Sequence, residues 1–129
     1  MSPYMIVALK IFVSLVAAML IVIWARWFIQ PEAMYALYDV TANSRFGVNM
    51  LKSDMGGFVL TIGFLSLLAV WRGGSWYPPA LIAQAAILFT RVLSLLQDGA
   101  TAGIWGGIAL ETVVFAVTFA LFRNDRASV

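Results

Sequence analysis

Apolar residues run along this chain in four long blocks, and most polar residues lie between them. A helix needs ~20 mostly apolar residues to cross a bilayer. Residues 5–28, 55–71, 79–96 and 103–122 come close to or exceed that length. The pattern predicts an all-α fold: an integral membrane four-helix bundle, one domain over residues 1–129. Pro78-Pro79 suits a helix start, where proline costs no hydrogen bond. Gln97-Asp98-Gly99 is expected to end the third helix, and Arg123-Asn124-Asp125-Arg126 to stop the fourth. The first block is long, and no small-residue cleavage site follows a short apolar core. It reads as a span rather than a signal peptide.

The connections are unequal. Residues 72–78 and 97–102 make short turns, but residues 29–54 are enough to fold. Pro31-Glu32-Ala33-Met34 reads as a helix start, with proline first and an acid in the first turn. A short interfacial helix follows, with Tyr35 and Tyr38 on one face. Four spans put both termini on one side, here side A. Tyr4, Trp71, Trp76 and Tyr77 then fall at side A; Trp24, Trp27, Tyr35, Tyr38 and Trp105 fall at side B. Two such aromatic belts are what a membrane interface collects. Side A carries Lys10, Arg72, Arg123 and Arg126, against Arg26, Arg45 and Lys52 at side B. This small excess orients side A to the cytoplasm.

Composition agrees: 63% of residues are hydrophobic and 11% charged. Soluble domains carry about 25% charge. Cysteine and histidine are both absent. That excludes disulfides, thiolate zinc sites, histidine-ligated haem and the Ser-His-Asp triad. The expectation is no cofactor and no metal. A net charge of +2 gives no basic face for nucleic acid.

Ionisable residues inside spans are costly and therefore informative. Glu111 lies roughly 12 Å into the fourth span from side B, and Arg91 roughly 8 Å into the third from the same side. An Arg91–Glu111 ion pair is therefore expected. Asp54 opens the second span, two residues after Lys52, and shares a face with Gly57 and Thr61. Gln84, Arg91 and Asp98 repeat every seven residues. Together with Arg26, these charges describe a polar basin in the side B half, roofed by the long first connection with Tyr35 and Tyr38. Plainer readings stand beside this one. Arg26, Lys52 and Asp98 sit at span ends and can reach water. Asp54 can cap a helix. Arg91 and Glu111 can fix helix register. Gln84 suits an interhelical hydrogen bond, and the glycines suit close helix packing.

The run Lys52-Ser53-Asp54-Met55-Gly56-Gly57 resembles the basic-x-acidic-x-Gly-Gly signature of a family of small bacterial four-span proteins, a domain of unknown function. Arg91, Asp98-Gly99, Glu111 and the Pro31-led segment also look like that family's. Lys52 stands where the family more often has Arg. The resemblance covers nearly the whole chain. It implies a four-helix membrane bundle in a bacterial inner membrane, and no activity.

Two functions compete. The first is a site for a lipophilic small molecule (a sterol, isoprenoid or fatty-acid-like compound) between the helices. Its catalytic form is a cofactor-free acid/base isomerase. Asp54 and Glu111 serve as base and acid, and Arg91 stabilises developing charge. Lys52, Gly57, Thr61, Asp98, Tyr35 and Tyr38 line the ligand. The alternative is a non-catalytic membrane subunit or assembly factor, packing through Gly-rich faces in a homo-oligomer or larger complex. An ion transporter ranks last, because Asp54, Arg91 and Glu111 do not form a relay reaching side A.

Overall fold

The computed structural model describes residues 1–99 and 102–127; the side chains of Asp98, Ala102 and Gly103 fall outside the described set. The described chain is helical and contains no strand. Helix α1 covers Pro3–Ile29. Ser2 caps it by accepting from the Met5 amide at 3.3 Å, and Pro3 takes the first position. Helix α2, Pro31–Tyr38, is the short helix expected in the first connection. It starts on proline and ends where Asp39 turns left-handed at φ 51°.

The next helix departs from expectation. It begins at Arg45 rather than at residue 55, and runs unbroken to Arg72 over 28 residues. It comprises α3 (Arg45–Met50), a π-helical stretch (Leu51–Gly56) and α4 (Gly57–Arg72). Ser44 supplies the cap, its Oγ accepting from the Gly47 amide at 3.0 Å. Asp54 consequently caps nothing; it lies mid-helix in the π stretch. There the Ser53 hydroxyl lies within bonding distance of the Asn49 and Met50 carbonyls, at 2.9 and 3.2 Å. A serine hydroxyl competing for helix carbonyls favours a local irregularity.

Gly73 and Gly74, at φ 66° and 50°, turn the chain where a side chain would be strained. A short 3₁₀ turn (Gly74–Trp76) leads into α5, Tyr77–Asp98. Helix α6 covers Ala102–Arg126, four residues beyond the expected stop. Basic residues suit a helix C-terminus, and the Arg126 guanidinium sits 4.7 Å from the Phe122 ring centre. The Asp125 carboxylate accepts from the Gly74 amide at 2.8 Å, so that turn of α6 is held from outside.

Among the described residues, four helices are long and apolar enough to cross a membrane: Pro3–Ile29, Arg45–Arg72, Gly74–Gln97 and Ile104–Arg126. They pack in a ring, with α1 on α4, α4 on α5, α5 on α6 and α6 on α1. Val13, Ala69, Val70, Tyr77, Ala80, Leu81 and Leu121 form a core in the side A half. Ile11, Leu15, Val22, Phe64, Phe89 and Leu96 are exposed on the outer faces. In water so much open apolar surface would drive association. In lipid it is ordinary, and the fold is that of an integral membrane bundle.

Candidate functional site

Helix α5 carries Gln84 and Arg91, seven residues apart; α6 carries Glu111 and Thr118, also seven apart. Seven residues are nearly two turns, so each pair lies on one face. The helices pack side by side in opposite directions, and the pairs meet in register. Arg91 Nε donates to Glu111 Oε1 over 2.7 Å. Gln84 Nε2 donates to Thr118 Oγ1 at 3.3 Å and to Ser66 Oγ of α4 at 3.0 Å. Two polar stations result, about 10 Å apart along the helices at 1.5 Å per residue.

Gly107 makes the first station fit. It lies one turn from Glu111 on α6. A Cβ added there would stand 2.9 Å from Arg91 Cζ. The guanidinium therefore lies against bare backbone while it bonds the carboxylate. Glu111 Oε2 is buried and has no hydrogen-bond partner among the described residues. An unmatched buried acceptor costs about 1–3 kcal/mol, more when charged.

The second station is buried: Gln84, Ser66 and Thr118 are each 5% exposed or less. Its amide has a defined orientation. The Thr118 hydroxyl donates to the Val114 carbonyl at 2.8 Å, leaving only lone pairs for Gln84. The amide nitrogen faces them and the Ser66 oxygen, and Oε1 points away from both hydroxyls. Gln84 Oε1 also has no partner among the described residues.

Both stations border one cavity of about 230 Å³, partly open to the outside. Its remaining walls are mainly apolar, with Val16, Leu20 and Ile23 from α1, Phe58 and Ile62 from α4, and Val114 from α6 among them. Tyr38 reaches it from α2. That helix is held against the bundle by Trp27, which is fully buried and lies 5.5 Å from the Tyr38 ring centre and 6.0 Å from the Tyr35 ring centre. Burial pushes the Tyr38 phenol above its usual value, and the Arg91 charge pulls it partly back. The phenol is therefore protonated at neutral pH and available as a donor.

Of the residues expected at the site, Arg91, Glu111 and Tyr38 share this cavity. Lys52, Asp54, Gly57, Thr61 and Tyr35 are not among its lining residues. Asp54 is exposed beside Ser53, whose hydroxyl is 3.3 Å from its Oδ1. The Lys52 ammonium lies 5.6 Å from the Phe28 ring centre. Thr61 donates to the Gly57 carbonyl of its own helix at 2.8 Å, and a Cβ at Gly57 would meet open space. Tyr35 packs on Trp27 instead. Asp98 has its side chain outside the described residues. Ser66 and Thr118 were not anticipated; their signal was two hydroxyl residues at the depth of Gln84. No family model, curated protein or solved structure matches the chain.

Proposed function

We propose that the protein binds a lipophilic small molecule within the membrane, with the ligand's polar end seated at Arg91 and Glu111. The observation that carries this reading is the Glu111 carboxylate. One oxygen bonds Arg91, and the other is buried without a partner among the described residues, at the edge of a mostly apolar cavity. Cavities that are mostly apolar, with a few convergent polar groups, are what small-molecule sites look like. Tyr38 adds a donor at the same end.

Binding is proposed ahead of turnover. Glu111 is the one acid among the described lining residues, because Asp54 stands outside. An isomerase at this site would use Glu111 as its base, with Arg91 or Tyr38 facing the developing negative charge. The bilayer itself is the other partner, and the reading sets the bundle in a bacterial inner membrane with side A cytoplasmic.

Mass spectrometry of protein purified gently from native membrane tests the reading. The expected result is a stoichiometric lipophile on the wild type, and its loss from Glu111→Gln at unchanged helicity. Protein that carries only bulk lipid, or a co-purifying protein subunit in place of a lipophile, would overturn it.

A further inference from the structure

The deep end of the cavity is polar for a reason that the Arg91–Glu111 pair does not supply. Gln84 is almost wholly buried, and its amide is locked. Thr118 has already given its proton to Val114, so it accepts only, and it holds the amide nitrogen toward itself. Ser66 receives the same nitrogen. Gln84 Oε1 therefore points away from both hydroxyls and has no partner among the described residues, in a residue that lines the cavity. Packing alone does not require this. A leucine would fill similar space, and the Thr118 hydroxyl would stay bonded to its own helix. The amide instead leaves a lone buried acceptor beside the cavity, about 10 Å beyond Arg91. No described residue bonds that oxygen, and hydrocarbon cannot.

We infer that Gln84 selects the ligand: its Oε1 accepts a hydrogen bond from a hydroxyl on the buried part of a lipophilic alcohol. The inference rests on the cavity being a ligand site and adds what that site discriminates. The required chemistry is a donor, so ethers and ketones of the same shape are refused. They would set a second acceptor against an acceptor and leave both unpaired. Sites built to bond a hydroxyl reject analogues that lack it far more strongly than apolar pockets reject a change in size. Size gives a second bound. A cavity of about 150 Å³ lodges a benzene-sized molecule, so about 230 Å³ encloses roughly nine heavy atoms. Anything longer extends through the open side.

A pair of isomers tests this. Decan-1-ol and methyl nonyl ether have the same atoms and nearly the same length, and differ in the donor. Each is titrated into the delipidated protein in one detergent, and occupancy is read by native mass spectrometry. The ratio of the two affinities is then compared with the ratio for Thr118→Val and for Gln84→Met in the same micelles, which cancels partitioning into detergent. The wild type is expected to prefer the alcohol by about ten- to hundredfold. Gln84→Met should bring the ratio near one. Thr118→Val removes the lock without changing shape, so the amide can turn and present nitrogen; the preference should shrink. Thr118→Val also keeps the test decisive if Gln84→Met does not fold. Equal binding of the isomers by the wild type would overturn the role of Gln84 and leave the binding site standing. An alcohol preference that both variants retain would do the same, and would move the donor to Glu111. Failure of both isomers to bind the wild type would overturn the binding site together with the inference.

Discussion

Between α1 and α4, a Cβ added at Gly63 would meet the Ala17 carbonyl oxygen at 3.1 Å and Ile21 Cγ1 at 3.2 Å. Between α5 and α6, one added at Gly107 would meet the Arg91 guanidinium at 2.9 Å. Both are helical glycines in packed interfaces, yet they do opposite things. Gly63 lets a helix come close to the backbone of its neighbour. Gly56 helps in the same way, lying against Trp24 and Trp27. Trp71 then ties the pair with a bond from its Nε1 to Ser14 Oγ, at 2.9 Å. Gly107 makes room for a charged group between two helices that pack side by side. One interface is sealed by missing side chains, and the other is opened by one. A small residue in a membrane helix is therefore not by itself a packing signal. What stands opposite decides.

The largest break in this contrast comes from the charged side. Glu111→Leu strands the Arg91 charge and should cost about 3 kcal/mol of stability, read by unfolding in detergent. Adding Arg91→Leu should recover part of that loss. A double variant no more stable than the single one would show that the two groups are not coupled. A smaller effect is expected on the sealed side. Gly63→Val forces α1 and α4 apart against a carbonyl oxygen that cannot move alone, at about 1–3 kcal/mol. The smallest stability change, under about 1 kcal/mol, belongs to Gly107→Ala, because the far end of Arg91 is flexible enough to shift. Its effect should appear instead in ligand retention, as the guanidinium leaves the carboxylate. If Gly107→Ala destabilised the fold more than Gly63→Val, the contrast drawn between the two interfaces would be wrong.

The four helices were legible because spanning requires long apolar runs, and those cannot be hidden in a sequence. Their ends were less so. The segment from Arg45 to Asp54 holds Arg45, Asn49, Lys52, Ser53 and Asp54, and so read as connection. Backbone hydrogen bonding does not stop where apolar character stops, and polar residues are tolerated in a helix outside the hydrocarbon. The same reason carries α6 on to Arg126. At the site, rise per residue placed Arg91 and Glu111 at similar depth. It also placed Asp54 and Lys52 near the same end. Depth is not direction, however. Which way a side chain faces depends on the register of its helix, and the π-helical stretch alters that register just where Lys52 and Asp54 stand. The partnership of Gln84 with Ser66 and Thr118 depended on which helices became neighbours, and the sequence alone did not state that.

The matched spacing of seven on α5 and α6 has a consequence for how this chain can change over evolutionary time. Substitutions between Gln84 and Arg91, or between Glu111 and Thr118, change packing but leave the two stations aligned. One inserted or deleted residue in either interval would turn one station by about 100° relative to the other. Drift in residue type spares the alignment, whereas drift in length dismantles it at once. The interval is a count that the protein must keep.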